Sequence, residues 1–435
     1  MKRGLLALVA VVVVGPLLLA QRPSPVADPR VPTGRPEDVG MSSERLGRIT
    51  TAMQRYVDRR DIAGAVTLVA RHGRVVHLQS VGRRDVESAT PMASDTIFRL
   101  ASMTKPIVTV ALLMLYEQGE FQLTDPVSKW LPEFRNMKVI DPGATAGTYT
   151  ATNARTPITI RQVMTQTAGL QNGDGVMLAA YQKIAPRTVP NDTLGAFVSR
   201  LATLPLNFEP GTRWHYGAAG NATNVVGRLV EVVSKQSLDQ FLSERIFTPL
   251  QMADTHFYVP ESKLSRFASL YQPDANGKIE ILERATADSP FVRERTYFSG
   301  SGGLVSTAPD YYRFLQMLLN GGELSGVRLL GRKTVELMTA NHTAALHTEG
   351  APGFGFGLGV QVVTDLGATG QLGSVGTHGW SGAAGTIMFV DPVEHIAAIL
   401  MLNLRPHAHL NVRRDFRTLT YQALVGPPQP VRSSN

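Results

Sequence analysis

Between residues 60 and 120 the apolar positions change period. Ala65-Val66-Thr67-Leu68-Val69-Ala70-Arg71 and Arg74-Val75-Val76-His77-Leu78 are short, β-branched-rich runs on either side of His72-Gly73, which predicts a hairpin. Residues 107–115 are instead apolar at every position but Thr109, and the run ends at Gly119. That pattern predicts a central, buried helix from about Ser102 to Gln118. Helical periodicity recurs at 192–203, 221–233 and 237–247, so residues 121–290 read as helices and loops. Residues 139–157, rich in Gly, Ala and Thr and without a period, read as an irregular loop. Strand character returns at Gly303-Leu304-Val305-Ser306. Thr307-Ala308-Pro309-Asp310 then reads as a capping box with proline in the first turn, opening a helix that runs to Gly321. Residues 385–390 and 396–402 read as two strands around Asp391-Pro392, and a last helix covers 411–425.

Strands at both ends with helices between them predict an α+β chain. One antiparallel sheet is built from both termini and flanked by helices, and a mainly helical domain is inserted. The boundaries that follow are 36–120 with 291–428 for the sheet domain and 121–290 for the helical domain. Residues 21–35 read as a linker and 429–435 as a tail. At the start, Lys2 and Arg3 precede an apolar run over 4–19, then Ala20 and polar, Pro-rich sequence. This is the pattern of a signal peptide, residues 1–20, and implies a periplasmic or secreted protein. The run also has the length of an uncleaved anchor, and only in that form does the chain contact a membrane.

A hydrophobic content of 43% over 435 residues supplies ample core. The absence of cysteine excludes disulfides, thiol catalysis and thiolate metal sites. The formal charge of +8 is scattered, with Arg413-Arg414 on an expected surface helix, and no basic run is interleaved with aromatics. Nucleic acid is therefore not an expected partner. No histidine spacing matches a metal motif, so no metal and no cofactor are expected.

The candidate chemistry begins with Ser102-Met103-Thr104-Lys105. About one S-x-x-K arises by chance in a chain this long, so the tetrapeptide alone carries little. Pro106 adds to it. Proline is tolerated only where the amide has no intrahelical partner, so the helix must begin near Ser102. The Ser102 hydroxyl then sits at the positive end of the helix dipole, with Lys105 one turn on along the same face. A lysine at the end of a buried helix can give up its proton and act as a base for serine.

Phe98-Arg99-Leu100-Ala101-Ser102-Met103-Thr104-Lys105-Pro106, continuing through Glu117-Gln118-Gly119 to Leu123-Thr124-Asp125-Pro126-Val127, closely resembles the nucleophile segment of the serine β-lactamase and penicillin-binding superfamily. The similarity is to its class C β-lactamase and family VIII carboxylesterase branch. Thr159 through Thr167-Ala168-Gly169-Leu170, Phe208-Glu209-Pro210-Gly211-Thr212-Arg213-Trp214-His215-Tyr216, the Gly-rich segment 299–306 with helix 310–319, and 379–386 resemble further family segments in the same order. The resemblance covers about residues 36–425 and implies a β-lactamase/transpeptidase-like fold.

By that resemblance Ser102 is the nucleophile, Lys105 its base, and Tyr216 the second-motif tyrosine that shuttles the proton. The second motif reads Tyr216-Gly217-Ala218, so the family asparagine is missing. Asn221 and Asn224 are amides off the family spacing. The Lys-Thr-Gly motif is absent, and Lys333-Thr334-Val335 lies in a helix-like stretch. Trp380-Ser381-Gly382 stands where many family VIII esterases carry Trp-Gly-Gly, and a second register places His378 at the key position. The backbone N–H groups of Ser102 and Ala383 are the implied oxyanion hole. Ala218, His378, Trp380, Ser381 and Gly382 are the implied substrate-binding positions. Gly379-Trp380-Ser381-Gly382-Ala383 is also a near miss to G-x-S-x-G, but the strand pattern around it is not that of an α/β-hydrolase.

The function that follows is acyl transfer to water through a Ser102 acyl-enzyme. With Ala218 and Trp380 in place of an amide and a cation, neutral short- to medium-chain esters or lactones fit better than lactams. A class C-like β-lactamase or D-Ala-D-Ala peptidase is the alternative enzyme, and a covalent β-lactam sensor the alternative without turnover. In each case the partner is a small-molecule ester or lactam.

Overall fold

A computed structural model describes residues 30–186, 191–217, 219–293, 296–344, 346 and 351–426. The apolar N-terminal run, Ala218 and the 429–435 tail lie outside the described residues. Helix α1 (Ser43–Asp58) precedes strands β1 (Gly64–Arg71), β2 (Arg74–Asp85) and β3 (Thr90–Pro91). Helix α2 (Thr104–Glu117), helix α3 (Ala222–Ser234) and helix α4 (Ala308–Leu319) follow. Strands β4 (Phe354–Phe356), β5 (Gln361–Val363), β6 (His378–Ser381), β7 (Ile387–Asp391) and β8 (Ile396–Leu402) lead to helix α5 (Val412–Tyr421).

The eight strands form one antiparallel sheet in the order β4-β5-β6-β7-β8-β1-β2-β3. The two ends of the sequence meet at β8 and β1, which pair from Ala65↔Leu402 to Arg71↔Ile396. Both strands are buried at every position, because helices cover both faces of the sheet. Helices α1 and α5 pack on one face with Val69, Phe389 and Leu400. Helix α4 packs on the other with Leu68, Val390 and Ile399, in the core that also holds α2. The β1–β2 turn has φ of 49° at His72 and 74° at Gly73, the positive pair of a two-residue hairpin turn.

Several expectations change. The 139–157 segment is not irregular throughout, because Lys138–Ile140 pairs with Ala151–Asn153. A second hairpin, Leu270–Pro273 with Ile279–Glu283, lies in the segment assigned to the helical domain, yet Tyr271 and Ile279 join the core beneath α1. Of the expected linker, Val31 is buried in the core and Thr33 bridges Val75. The 303–306 strand shortens to Val305–Ser306, which pairs with Phe98–Arg99. Thr307 caps α4 by accepting from Asp310 N–H, but the reciprocal half of the box is absent. The Asp310 carboxylate instead accepts from Asp254 N–H and Thr255 Oγ1. The 237–247 helix is α-helical over Leu238–Leu242 and turns π-helical over Ser243–Phe247.

One contact sets β6 against the nucleophile segment. A Cβ at Gly382 would lie 2.2 Å from Leu100 O and 2.3 Å from Thr386 Oγ1, closer than any real contact. The strand end can approach Leu100 only because residue 382 has no side chain. Gly382→Ala is expected to destabilise the chain by about 1–3 kcal/mol, as overpacking does. Urea unfolding measures the loss, and an unchanged midpoint would contradict the packing.

Candidate active site

Leu100 N–H donates to Leu304 O at 2.9 Å, fixing the chain just before Ser102. Ala101 then takes φ of 46°, left-handed backbone in a residue with a side chain, and this strain turns the chain outward. A 3₁₀ turn over Ala101–Met103 leads into α2 at Thr104, so the α-helix proper starts two residues after Ser102. Tyr311 Oη donates to Met103 O at 2.7 Å and Leu304 N–H to Thr104 Oγ1 at 3.2 Å, locking this helix start from α4 and the preceding strand. Ser102 remains half-buried at the surface, while Lys105 is 1% exposed.

Lys105 Nζ donates to Ser102 Oγ at 3.1 Å and to Ser301 O at 2.6 Å. Tyr216 Oη donates to the same Ser102 oxygen at 2.6 Å. Trp380 Nε1 points at Tyr216 Oη from 3.4 Å, and Lys105 Nζ lies 5.0 Å from the Tyr216 ring centre. Burial pushes the Tyr216 phenol up. The Lys105 charge, with hydrogen bonds to Lys105, Ser102 and Trp380, outweighs it and leaves the phenol below its ordinary value. Two proton-carrying groups thus converge on one serine oxygen, within reach of the proton that an activated serine must lose.

The lysine has its own cradle. Gly220 has φ of 57°, and a Cβ there would lie 2.8 Å from Lys105 Cε and 2.9 Å from Nζ. Ser301 Oγ donates to Gly220 O at 2.8 Å, and Ser301 N–H donates to Asn224 Oδ1 at 3.1 Å. Asn224 Nδ2 donates to Asn221 Oδ1, and Asn221 Nδ2 donates to Gln171 O and Tyr181 Oη. Both asparagines therefore brace the cradle. Sequence reasoning missed Gly220, Ser301 and the bracing role of Asn224, whose contacts are all made between distant segments.

The third motif resolves by contact and burial. His378 and Trp380 share one face of β6, but only Trp380 reaches Tyr216, their rings 5.1 Å apart. Phe356 lies 5.1 Å from Trp380 and 5.5 Å from Trp214, which stacks on Tyr216, so a cluster of three other aromatic rings holds the phenol. His378 is 6% exposed and donates from Nδ1 to Gly376 O at 3.0 Å, since a carbonyl only accepts. Burial lowers its pKa, and it sits beneath the site rather than in it. Ser381 points to the opposite face from Trp380 and does not line the Ser102 cavity; with Trp380 and His378 it borders a separate cavity of about 210 Å³. It is not an elbow nucleophile, because β6 runs on to an antiparallel strand and no helix follows. Gly382 faces Leu100 rather than a substrate.

Ser102 and Ala383 line one cavity of about 550 Å³, together with Asn172, Ser301, Phe291 and Arg405. Asn172, which follows the Gly169-Leu170 turn, was also missed as a lining amide. The Gly382–Gly385 loop that carries Ala383 is pinned from behind. Arg413 donates to Gly382 O and Gly385 O, His407 Nδ1 to Ala383 O, and Leu404 N–H to Ala384 O. Arg413, expected on a surface helix, is drawn inward for this contact, and burial lowers its pKa to about 10. Lys333 is exposed on helix Arg332–Thr339, paired with Glu336. No cluster of three or more metal-ligating side chains occurs among the described residues.

A family profile described as Beta-lactamase matches residues 49–422. Esterase EstB of Burkholderia gladioli is 32% identical over 378 residues, which span 82% of this chain and 90% of EstB. An uncharacterized protein of Mycobacterium tuberculosis is 36% identical over 359 residues, 79% of this chain and 86% of its own. Among solved structures EstCE1, described as a hydrolase with promiscuous acyltransferase activity, has a TM-score of 0.74 at 28% identity and covers 87% of this chain and 99% of its own.

Gly220→Ala tests the cradle. The added methyl displaces Lys105 Nζ, so labelling of Ser102 by a fluorophosphonate probe is expected to slow by about 10²-fold, the lower range for losing a general base. Intact-protein mass spectrometry follows the label. Labelling at the wild-type rate would show that Lys105 is not held by this contact.

Proposed function

Because the chain belongs to the beta-lactamase family of serine hydrolases, we propose that it is a carboxylesterase acting through a Ser102 acyl-enzyme on neutral short- to medium-chain esters or lactones. The observation that carries the proposal is the convergence of Lys105 Nζ and Tyr216 Oη on Ser102 Oγ, with an indole rather than a cation behind the tyrosine. Ser102 Oγ attacks the ester carbonyl carbon, and its proton passes to Tyr216, whose phenolate form the Lys105 ammonium favours. The carbonyl electrons move to oxygen, which the N–H groups of Ser102 and Ala383 receive. The carbon–oxygen bond to the alcohol then breaks, and Tyr216 returns the proton to the departing oxygen. Water repeats the sequence on the acyl-enzyme and frees Ser102.

The choice of ester over lactam rests on Trp380. An aromatic surface against Tyr216 offers no charge partner for a lactam carboxylate, and it favours apolar alcohol groups. EstB carries the name esterase and EstCE1 that of a hydrolase, which supports the same kind of activity here. The proposal includes export through residues 1–20. Edman sequencing of protein recovered outside the cytoplasm should then begin near Gln21, and a start at Met1 would contradict cleavage.

A side-by-side panel of 4-nitrophenyl butyrate, a chromogenic cephalosporin and a D-Ala-D-Ala peptide tests the function. Butyrate hydrolysis is expected, falling to background in Ser102→Ala and by about 10²–10⁴-fold in kcat in Tyr216→Phe. With the phenol held below its ordinary value, the rising limb of the kcat pH profile is expected below pH 10 and absent in Tyr216→Phe. Efficient cephalosporin turnover without ester hydrolysis would establish the lactamase reading instead.

A further inference from the structure

The cavity beside Ser102 has a direction. It is lined by Ser102 and Ala383 but not by Tyr216 or Trp380. Tyr216 must stand next to the departing alcohol, so the alcohol lies on the Trp380 side. The cavity on the other side of Ser102 then receives the acyl chain. Its inner wall is apolar, with Leu270, Pro290, Phe291 and Tyr297.

Its charges do not cancel. Arg99 is 3% exposed and packed between Phe267 and Phe291, its Cζ 4.1 Å and 5.3 Å from the ring centres. It donates to Ala268 O at 2.7 Å and to Glu283 Oε1 at 2.6 Å. Ser289 Oγ donates to the same Glu283 oxygen, so the single carboxylate of the lining is already spoken for. Arg405 is the third charged group. Its backbone N–H donates to Tyr271 O, which places it at the cavity, and its side chain is exposed. Among the described residues that side chain has neither a hydrogen bond nor an ion pair. Among the described residues the cavity lining therefore carries one uncompensated positive charge.

We propose that Arg405 is a specificity residue that binds a carboxylate at the far end of the acyl chain, so that half-esters of dicarboxylic acids are preferred over neutral esters of equal length. The inference rests on the ester-hydrolase reading. It also revises one part of it: the neutral environment beside Trp380 concerns the alcohol, so neutrality holds for the alcohol side only and the acyl terminus is charged. An exposed arginine without a partner is ordinary on a protein surface. One that lines the nucleophile's cavity, where the carboxylate is already neutralised by a buried arginine, is placed to pair with substrate. The guanidinium fork matches a carboxylate in two parallel hydrogen bonds.

Mono-4-nitrophenyl adipate and 4-nitrophenyl hexanoate have equal chain length and differ at the terminus. The adipate is chosen because shorter half-esters cyclise unaided. The ratio of kcat/KM, adipate over hexanoate, is expected to fall about tenfold in Arg405→Gln and to be partly restored in Arg405→Lys. In the wild type the same ratio is expected to fall as NaCl is raised, because an exposed charge pair is screened. That measurement stands even if a variant fails to fold. A ratio within about twofold of wild type in folded Arg405→Gln, or one indifferent to salt, overturns the proposal while leaving the esterase reading intact. Absence of Ser102-dependent hydrolysis of hexanoate by the wild type overturns both.

Discussion

An ammonium buried one turn from a serine is the constraint on which the rest of this structure depends. Lys105 is 1% exposed, and a charge so placed is costly unless it is hydrogen-bonded. Its partners are Ser102 Oγ and Ser301 O, and the second comes from a segment 196 residues away. The Ser299–Leu304 stretch must therefore be fixed relative to α2. Asn224, the bridge from Leu100 to Leu304 and the Phe98–Ser306 pair all act to that end. The same contacts hold Ala101 in left-handed backbone, which keeps the serine turned toward the cavity.

Both halves of the fold are needed for this arrangement. The nucleophile stands on the 3₁₀ turn that leads into α2, the lysine on α2 itself, the tyrosine precedes α3, and Trp380 and Ala383 come from β6 and the loop after it. A tight junction is where β6 ends against Leu100, a contact that only glycine at 382 permits. Arg413 of α5 fastens the same loop from behind. The last helix, although it contributes no side chain to the cavity, thus sets where Ala383 N–H stands. This is a positioning role, and it accounts for an arginine buried deeply enough to lose part of its proton affinity.

What was legible in the sequence followed from locality. Ser102 and Lys105 are three residues apart, and Pro106 marks the helix start between solvent and core, so their geometry could be read from a few positions. Strands β1 and β8 were legible because runs in central strands are almost wholly apolar, and β2 because it follows β1 across a two-residue turn. Tyr216 was legible through resemblance alone, since no local rule distinguishes it from a packed tyrosine. Gly220, Ser301 and Arg413 gave no signal, because each acts through a backbone atom or an approach set by tertiary structure. The hairpins at Lys138–Ile140 and Leu270–Pro273 were missed for a related reason: their strands are short and partly exposed, so alternation is weak. The choice between Trp380 and His378 needed the burial of each, which the alternation of a strand cannot provide when both share one face.

Placing tryptophan rather than a cation against Tyr216 also bears on proton transfer. A lysine there would set a second full charge beside the phenol, whereas an indole N–H contributes only a dipole. The phenol then stays less acidic than it would be between two cations. That suits a group that must hand its proton back to an alkoxide, a strongly basic leaving group, rather than keep it. Lys105 is left as the one cation that acts on the tyrosine, and the proposed binding charge, Arg405, takes no part in the proton pathway.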